Sequence, residues 1–221
     1  MKAKNSLNPA LVVKRAIAIV DSDGLDALTV RKVADEFGVT PMALYWHFAN
    51  KEALLASVGD AVVADLRMPA ASLGLEDYIR EAMTSLIDVM RAHPSTAPLV
   101  AQQIMQNETG RDLTEACLER LAQNGFSVEK SAAVVHYAMQ IAMTLVSGEP
   151  GAEVAVKPTE RQTVRAEKLA VLLSLPEDRY PRLRAAAPAM IDCGDSDDYY
   201  ASGIDIFVAG VMAEARALAD A

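Results

Sequence analysis

Apolar residues recur every three or four positions along most of the chain, and no segment alternates with period two, so the pattern predicts helices packed on helices. Leu11, Val12, Ala16, Ile17, Ile19 and Val20 follow one another at the spacing of a first helix. Asn8-Pro9 starts it, since Asn caps exposed amides and Pro tolerates the first helical position. Asp23-Gly24 ends it. Thr29 caps a second helix with Val30, Val33, Ala34 and Phe37 as its buried stripe, and Gly38 is a natural left-handed stop. Thr40-Pro41 opens a short third helix reaching Phe48. Asn50 caps a fourth that begins Lys51-Glu52 and runs through Leu54, Leu55, Val58, Val62 and Val63.

Met68-Pro69 to Gly74 breaks the pattern and is the expected joint between two regions. Beyond it the spacing predicts helices near 75–92, 97–105, 110–124, 127–147, 159–174 and 196–219. Pro94, Gly125, Gly148-Glu149-Pro150-Gly151 and Pro176 separate them. The stretch Tyr180–Asp198 holds three breakers and receives no assignment. The expected fold class is all-α: an N-terminal three-helix unit over residues 1–55, then a larger helical region over 56–221.

The segment Thr29–Lys51 narrows the class. Two short helices joined by Gly38-Val39-Thr40 make a turn tight enough for a helix-turn-helix. In the second of them Leu44 and Phe48, four apart, point inward. Tyr45, Trp46 and His47 are consecutive, so they cannot all face one side. Thr40, Pro41, Met42, Tyr45 and His47 are left on outer faces, and a major groove accepts a whole helix of this kind. Thr29 offers a hydroxyl at a helix N-terminus, Tyr45 and His47 offer donors, and Lys51 lies in a first turn where the helix dipole disfavours a cation unless a phosphate sits there too. Arg31 carries a planar fork suited to a guanine edge. Trp46 reads as a wedge packing the small domain.

The run Leu28-Thr29-Val30-Arg31-Lys32-Val33-Ala34-Asp35-Glu36-Phe37-Gly38-Val39, followed by Ala43-Leu44-Tyr45-Trp46-His47-Phe48 and Asn50-Lys51-Glu52-Ala53-Leu54-Leu55, resembles the tetracycline-repressor (TetR) family. The resemblance implies Thr29, Tyr45, His47 and Lys51 at phosphates and Arg31 at a base. It places Thr40, Pro41, Met42 and Ala43 where members vary their base contacts. Met42 and Ala43 depart from the family's namesake, so its operator is not carried over. The resemblance further implies an all-helical homodimer with a ligand pocket in the C-terminal region.

Charge and composition fit that picture. Residues 1–50 hold six Lys and Arg against five Asp and Glu, a net +1, and the remainder holds 15 against 25, a net −10. An acidic body keeps such a protein off random DNA, although chance asymmetry has the same signature. No apolar run reaches the ~18 residues of a membrane span, and the N-terminus lacks the apolar core of a signal peptide. Cys117 and Cys193 are too few for a disulfide framework, which points to the cytoplasm. His47, His93 and His136 show no metal spacing, and phosphate-binding, nucleophile-elbow and dinucleotide motifs are missing. Neither enzyme activity, cofactor nor metal is expected.

In the C-terminal region, residues 131–147 are nearly uncharged. Val134, Ala138, Ile141 and Leu145 share one face; His136, Gln140, Met143 and Ser147 share the opposite one. Such a helix is buried on both sides. The first face, together with Gly203, Ile206 and Gly210 of the last helix, is the candidate dimer interface. Gln103, His136, Met139, Gln140, Met143 and Ser147 are the candidate ligand contacts, although a central core helix with a satisfied histidine explains the same pattern. The function expected is a ligand-responsive transcriptional regulator: a homodimeric repressor of a palindromic double-stranded operator, released by a small, largely apolar effector. A regulator without a ligand, an activator, or a helical interaction module are the alternatives.

Overall fold

The computed structural model describes residues 7–152, 156 and 159–220. Residues 1–6 of the expected N-terminal unit, and 221, lie outside it. Every regular element among the described residues is helical, so the chain is all-α: an N-terminal helix-turn-helix unit followed by a helical body.

The first unit is α1 (Pro9–Asp23), α2 (Val30–Phe37) and α3 (Pro41–Tyr45), with α4 (Lys51–Val63) leading out of it. Its caps are made as the residue types demand. Asn8 accepts from the Ala10 amide at 3.0 Å, Thr29 from Lys32 at 3.1 Å and Asn50 from Ala53 at 2.8 Å. Gly38 adopts φ 62°, a left-handed stop that other residues enter only with strain, and its N–H closes on Ala34 and Asp35. Thr40 occupies the N-cap of α3 without a side-chain cap bond. Val12, Ala16, Val20, Leu28, Val33, Leu44, Leu54 and Val58 close a separate small core. Two ion pairs pin α1 to α2, Arg15–Glu36 at 2.6 Å and Lys32–Asp23 at 2.5 Å. Lys32 holds the Asp23 carboxyl below its ordinary range.

The body comprises α5 (Leu75–Ala92), α6 (Ala97–Gln103), α7 (Glu108–Gln123), α8 (Val128–Ser147) and α11 (Ser196–Ala219), with a second core of Val62, Met83, Leu86, Ile87, Met90, Val100, Leu121, Ala142, Val146 and Val208. Between α8 and α11 the chain forms a hairpin of α9 (Arg161–Leu173) and α10 (Pro181–Ile191). No residue of α9 is buried, and in α10 only Ala187 is. Glu149 ties the base of this hairpin to α11, accepting hydrogen bonds from Ser196 and, at 2.8 Å, from Tyr200. Burial and the neighbouring carboxylate push the Tyr200 phenol upward.

Two details differ from the expectation. The third helix stops at Tyr45 rather than Phe48, and the unassigned stretch after Tyr180 contains α10. Trp46 is not a wedge: it is 84% exposed, because Leu44 and Phe48 already fill the space under α3.

Candidate DNA-reading face and effector cavity

Most of the residues singled out from sequence are exposed on the helix-turn-helix, and the others are half-buried. Arg31 projects from the first turn of α2, two residues past the Thr29 cap. The Thr29 hydroxyl accepts from Lys32 and keeps its own proton to donate. On α3, Met42 is 66% and Tyr45 46% exposed, Thr40 and His47 are exposed, and Pro41 and Ala43 are half-buried. Lys51 is half-buried at the start of α4. Arg31 and Lys51 have no ion-pair partner among the described residues, whereas Lys32 and Arg15 are committed to carboxylates.

The expected ligand and interface residues are distributed differently. A cavity of about 440 Å³ opens between α5, α6, α7 and α8. Met83 and Leu86 of α5, Ile104 and Met105 at the end of α6, Leu113 and Cys117 of α7, and Val135 and Met139 of α8 wall it. Its polar groups are Thr114, Cys117, His136 and Gln140, and no Asp, Glu, Lys or Arg lines it. Burial raises the Cys117 thiol from its ordinary 9.0 to about 12, so it is a neutral wall group. Of the six expected ligand residues, His136, Met139 and Gln140 reach the cavity. His136 and Gln140 are exposed at its mouth. Gln103, Met143 and Ser147 are not among the residues that line it.

Val134 and Ala138, assigned from sequence to a subunit interface, line this same cavity, while Ile141 and Leu145 pack against their own core. Gly203 receives the Leu145 side chain: a Cβ there would meet it at 2.7 Å. Ile206, 76% exposed, and Gly210, where an added Cβ would meet nothing within 4 Å, face outward instead. The cavity walls from α5 and α7 had no distinguishing signal in sequence, since an amphipathic stripe looks the same whether it meets side chains or an empty space.

Helix α6 joins cavity and reading unit. Leu99 belongs to the small core, Val100 to the large one, and Ala101, Ile104 and Met105 to the cavity. Where α6 crosses α4, Gly59 allows a contact that no side chain would. A Cβ there would lie 2.8 Å from Gln103 Cγ and 2.9 Å from the Leu99 carbonyl oxygen. Asn107, after α6, donates to the Asp60 carboxylate on α4 at 2.9 Å. A second junction links α1 to the segment after α5, where His93 Nδ1 and Asp21 Oδ2 are 2.8 Å apart.

A three-helix unit with an exposed turn-flanked helix, joined through one helix to a body with an internal cavity, defines a helix-turn-helix transcriptional regulator. Comparison with known proteins makes the class specific. The family described as "Bacterial regulatory proteins, tetR family" matches residues 12–58, and "Tetracyclin repressor-like, C-terminal domain" matches residues 69–215. The chain belongs to the TetR family of transcriptional regulators. It is similar to an HTH-type transcriptional regulator of Saccharopolyspora erythraea, 30% identical over 97% of this chain and 88% of that protein. Its fold is similar to that of Streptomyces coelicolor ActR in complex with actinorhodin, with TM-score 0.74 and 25% identity over 95% of this chain and 98% of that one. It is also similar to BioQ bound to its double-stranded DNA operator, with TM-score 0.57 and 31% identity over 64% of this chain and 88% of that one. Among the described residues no helix is long and apolar enough to cross a membrane.

Proposed function

We propose that this protein is a homodimeric repressor that binds a palindromic operator and leaves it when a small, largely apolar molecule fills the cavity between α5 and α8. The observation that carries the reading is α6, which walls the cavity with one end and crosses α4 at Gly59 without room for a methyl group. A molecule that pushes α6 outward must move α4, and α4 carries the reading unit. The effector acts only if it binds the DNA-incompetent arrangement better than the competent one. A differential of a few kcal/mol suffices to switch occupancy.

The apolar wall without a charged group favours an uncharged effector, and His136 and Gln140 at the mouth are placed to bond its polar edge. ActR, of the same fold, holds actinorhodin. Two-fold pairing of two reading units makes an inverted-repeat operator. The outward α11 face of Ile206, Gly210 and Ala213 supports that pairing, because it leaves a large apolar side chain and a small-residue surface uncovered.

The test is a titration of uncharged, low-polarity compounds of drug size against wild type, His136→Leu and Gln140→Leu on operator DNA. Both variants should keep operator binding and need about 5- to 150-fold more effector, since an effector group buried without its partner costs about 1–3 kcal/mol. Equal release from all three proteins places the effector elsewhere. A panel that neither raises the melting temperature nor lowers operator affinity favours a regulator without a ligand. A promoter reporter that rises on operator occupancy would make the protein an activator.

A further inference from the structure

The reading helix lacks the side chains of bidentate base recognition; its exposed hydrogen-bonding groups include the Thr40 and Tyr45 hydroxyls and the His47 ring. In the major groove, paired recognition of a base edge requires a guanidinium, ammonium, amide or carboxylate. Between Thr40 and Phe48 the chain has none. Met42, Tyr45 and Trp46 follow the spacing that puts side chains on one helix face, and they are 66%, 46% and 84% exposed. Ala43 flanks them, while Leu44 and Phe48 are buried on the other side. The subunit itself does nothing with this apolar face. The one feature of the major groove that rewards an apolar contact is the 5-methyl group of thymine.

We propose that α3 selects its half-site through thymine methyl groups, with Met42 and Ala43 as the contacting side chains. The inference rests on the reading of α2 and α3 as DNA-facing. It leaves hydrogen-bonded readout to α2, where Arg31 projects without an ion-pair partner among the described residues while Lys32 and Glu36 are held in pairs with Asp23 and Arg15. A half-site therefore combines a guanine opposite Arg31 with one or more thymines opposite α3. Methyl readout has a further chemical consequence. Cytosine is refused at those positions for want of a methyl group rather than for its amino group, so 5-methylcytosine takes the place of thymine.

The experiment begins with randomised-site selection on the full chain. At each half-site thymine of the selected operator, the T·A pair is then replaced by U·A, C·G or 5-methyl-C·G, and affinity is measured by fluorescence anisotropy at one salt concentration. Uracil and cytosine are expected to weaken binding about four-fold per lost methyl, the equilibrium weight of one buried carbon group of that size. 5-Methylcytosine is expected to restore the thymine value. Met42→Ala, at a largely exposed position that the fold does not need, should flatten the differences between methylated and unmethylated bases. Uracil binding as well as thymine at every half-site position, or 5-methylcytosine as weakly as cytosine, overturns the inference while leaving DNA recognition in place. A selection that returns no preferred sequence overturns the DNA-reading assignment itself and the inference with it.

Discussion

Replacing Gly59 by alanine puts one methyl group into the crossing of α4 and α6. The Gln103 Cγ, 2.8 Å from the new carbon, belongs to a flexible side chain and can swing aside. The Leu99 carbonyl oxygen at 2.9 Å and Leu99 Cβ at 3.0 Å cannot, because Leu99 is anchored in the small core. Reaching ordinary contact requires the helices to part by about half an ångström. Overpacking of this kind costs about 1–3 kcal/mol, and alanine returns up to ~1 kcal/mol of helix propensity. The net loss is about 1 kcal/mol, or a fall of roughly 2–4 °C in melting temperature for a chain of this size. Domains hold ~5–15 kcal/mol in reserve, so the variant stays folded. A change in operator affinity then reports geometry rather than unfolding. If the DNA-bound form needs the close crossing while the free form relieves its strain by parting the helices, the part relieved is restored on binding, and each 1 kcal/mol of it lowers affinity about 5-fold. Labelled-operator anisotropy measures it, with the emission of the chain's single tryptophan, Trp46 beside the reading face, as a second readout. A lower melting temperature with unchanged operator affinity would show that α4 and α6 do not couple through this contact. No change in either would mean that the helices stand further apart in solution.

Three further outcomes are expected. Lys51→Ala should weaken binding to all DNA alike, whereas Arg31→Ala should also relax base preference by about 1–3 kcal/mol at one position of a randomised-site profile; an unchanged profile removes Arg31 from the base-reading role. Gly210→Leu should weaken association in sedimentation at micromolar concentration, and an undisturbed dimer would move the interface away from the outward face of α11. In the native protein, iodoacetamide at pH 8 should modify Cys193 and spare Cys117, whose buried thiol titrates near 12. Because the folded value exceeds the unfolded one, the stability that the neutral thiol contributes is complete below about pH 9 and is lost as pH rises towards 12, so Cys117→Ala should flatten that alkaline decline in urea denaturation.

The helices were legible wherever a cap or a stop marked their ends. α5 and α11 run over 75–92 and 196–219 as the spacing predicts, and Asn8, Thr29 and Asn50 cap as read. α10 was not legible because Pro188 lies inside it, a position that ordinarily breaks a helix, and the Ala185–Ala187 run carries the chain through. Trp46 misled for a different reason: an aromatic side chain argues for burial, but Leu44 and Phe48 already occupy the space under α3 and leave it exposed. The expected burial of α8 on both sides was not met: His136, Gln140 and Ser147 are exposed, and the buried Ser131, Ala142 and Val146 belong to neither face read from the sequence. What each face meets depends on where α5, α7 and α11 come to rest, and no local pattern in α8 encodes that. Cys117 and Thr114 show the same limit, since a cavity wall is a relation between helices distant in sequence.

The commitment of Lys32 to Asp23 and of Arg15 to Glu36 sets how the protein responds to ionic strength. Among the described residues of the N-terminal unit and the start of α4, Lys14, Arg31 and Lys51 are left without an ion-pair partner, six cations in a dimer, and if they meet phosphates the logarithm of operator affinity should fall with the logarithm of salt at a slope of about −5 from these groups. Non-specific affinity, which is nearly all counterion release, is correspondingly small, and the acidic body lowers it further. A repressor of this charge pattern is expected to slide over shorter stretches of random DNA than one with a basic body, and base contacts rather than charge should decide where it stops.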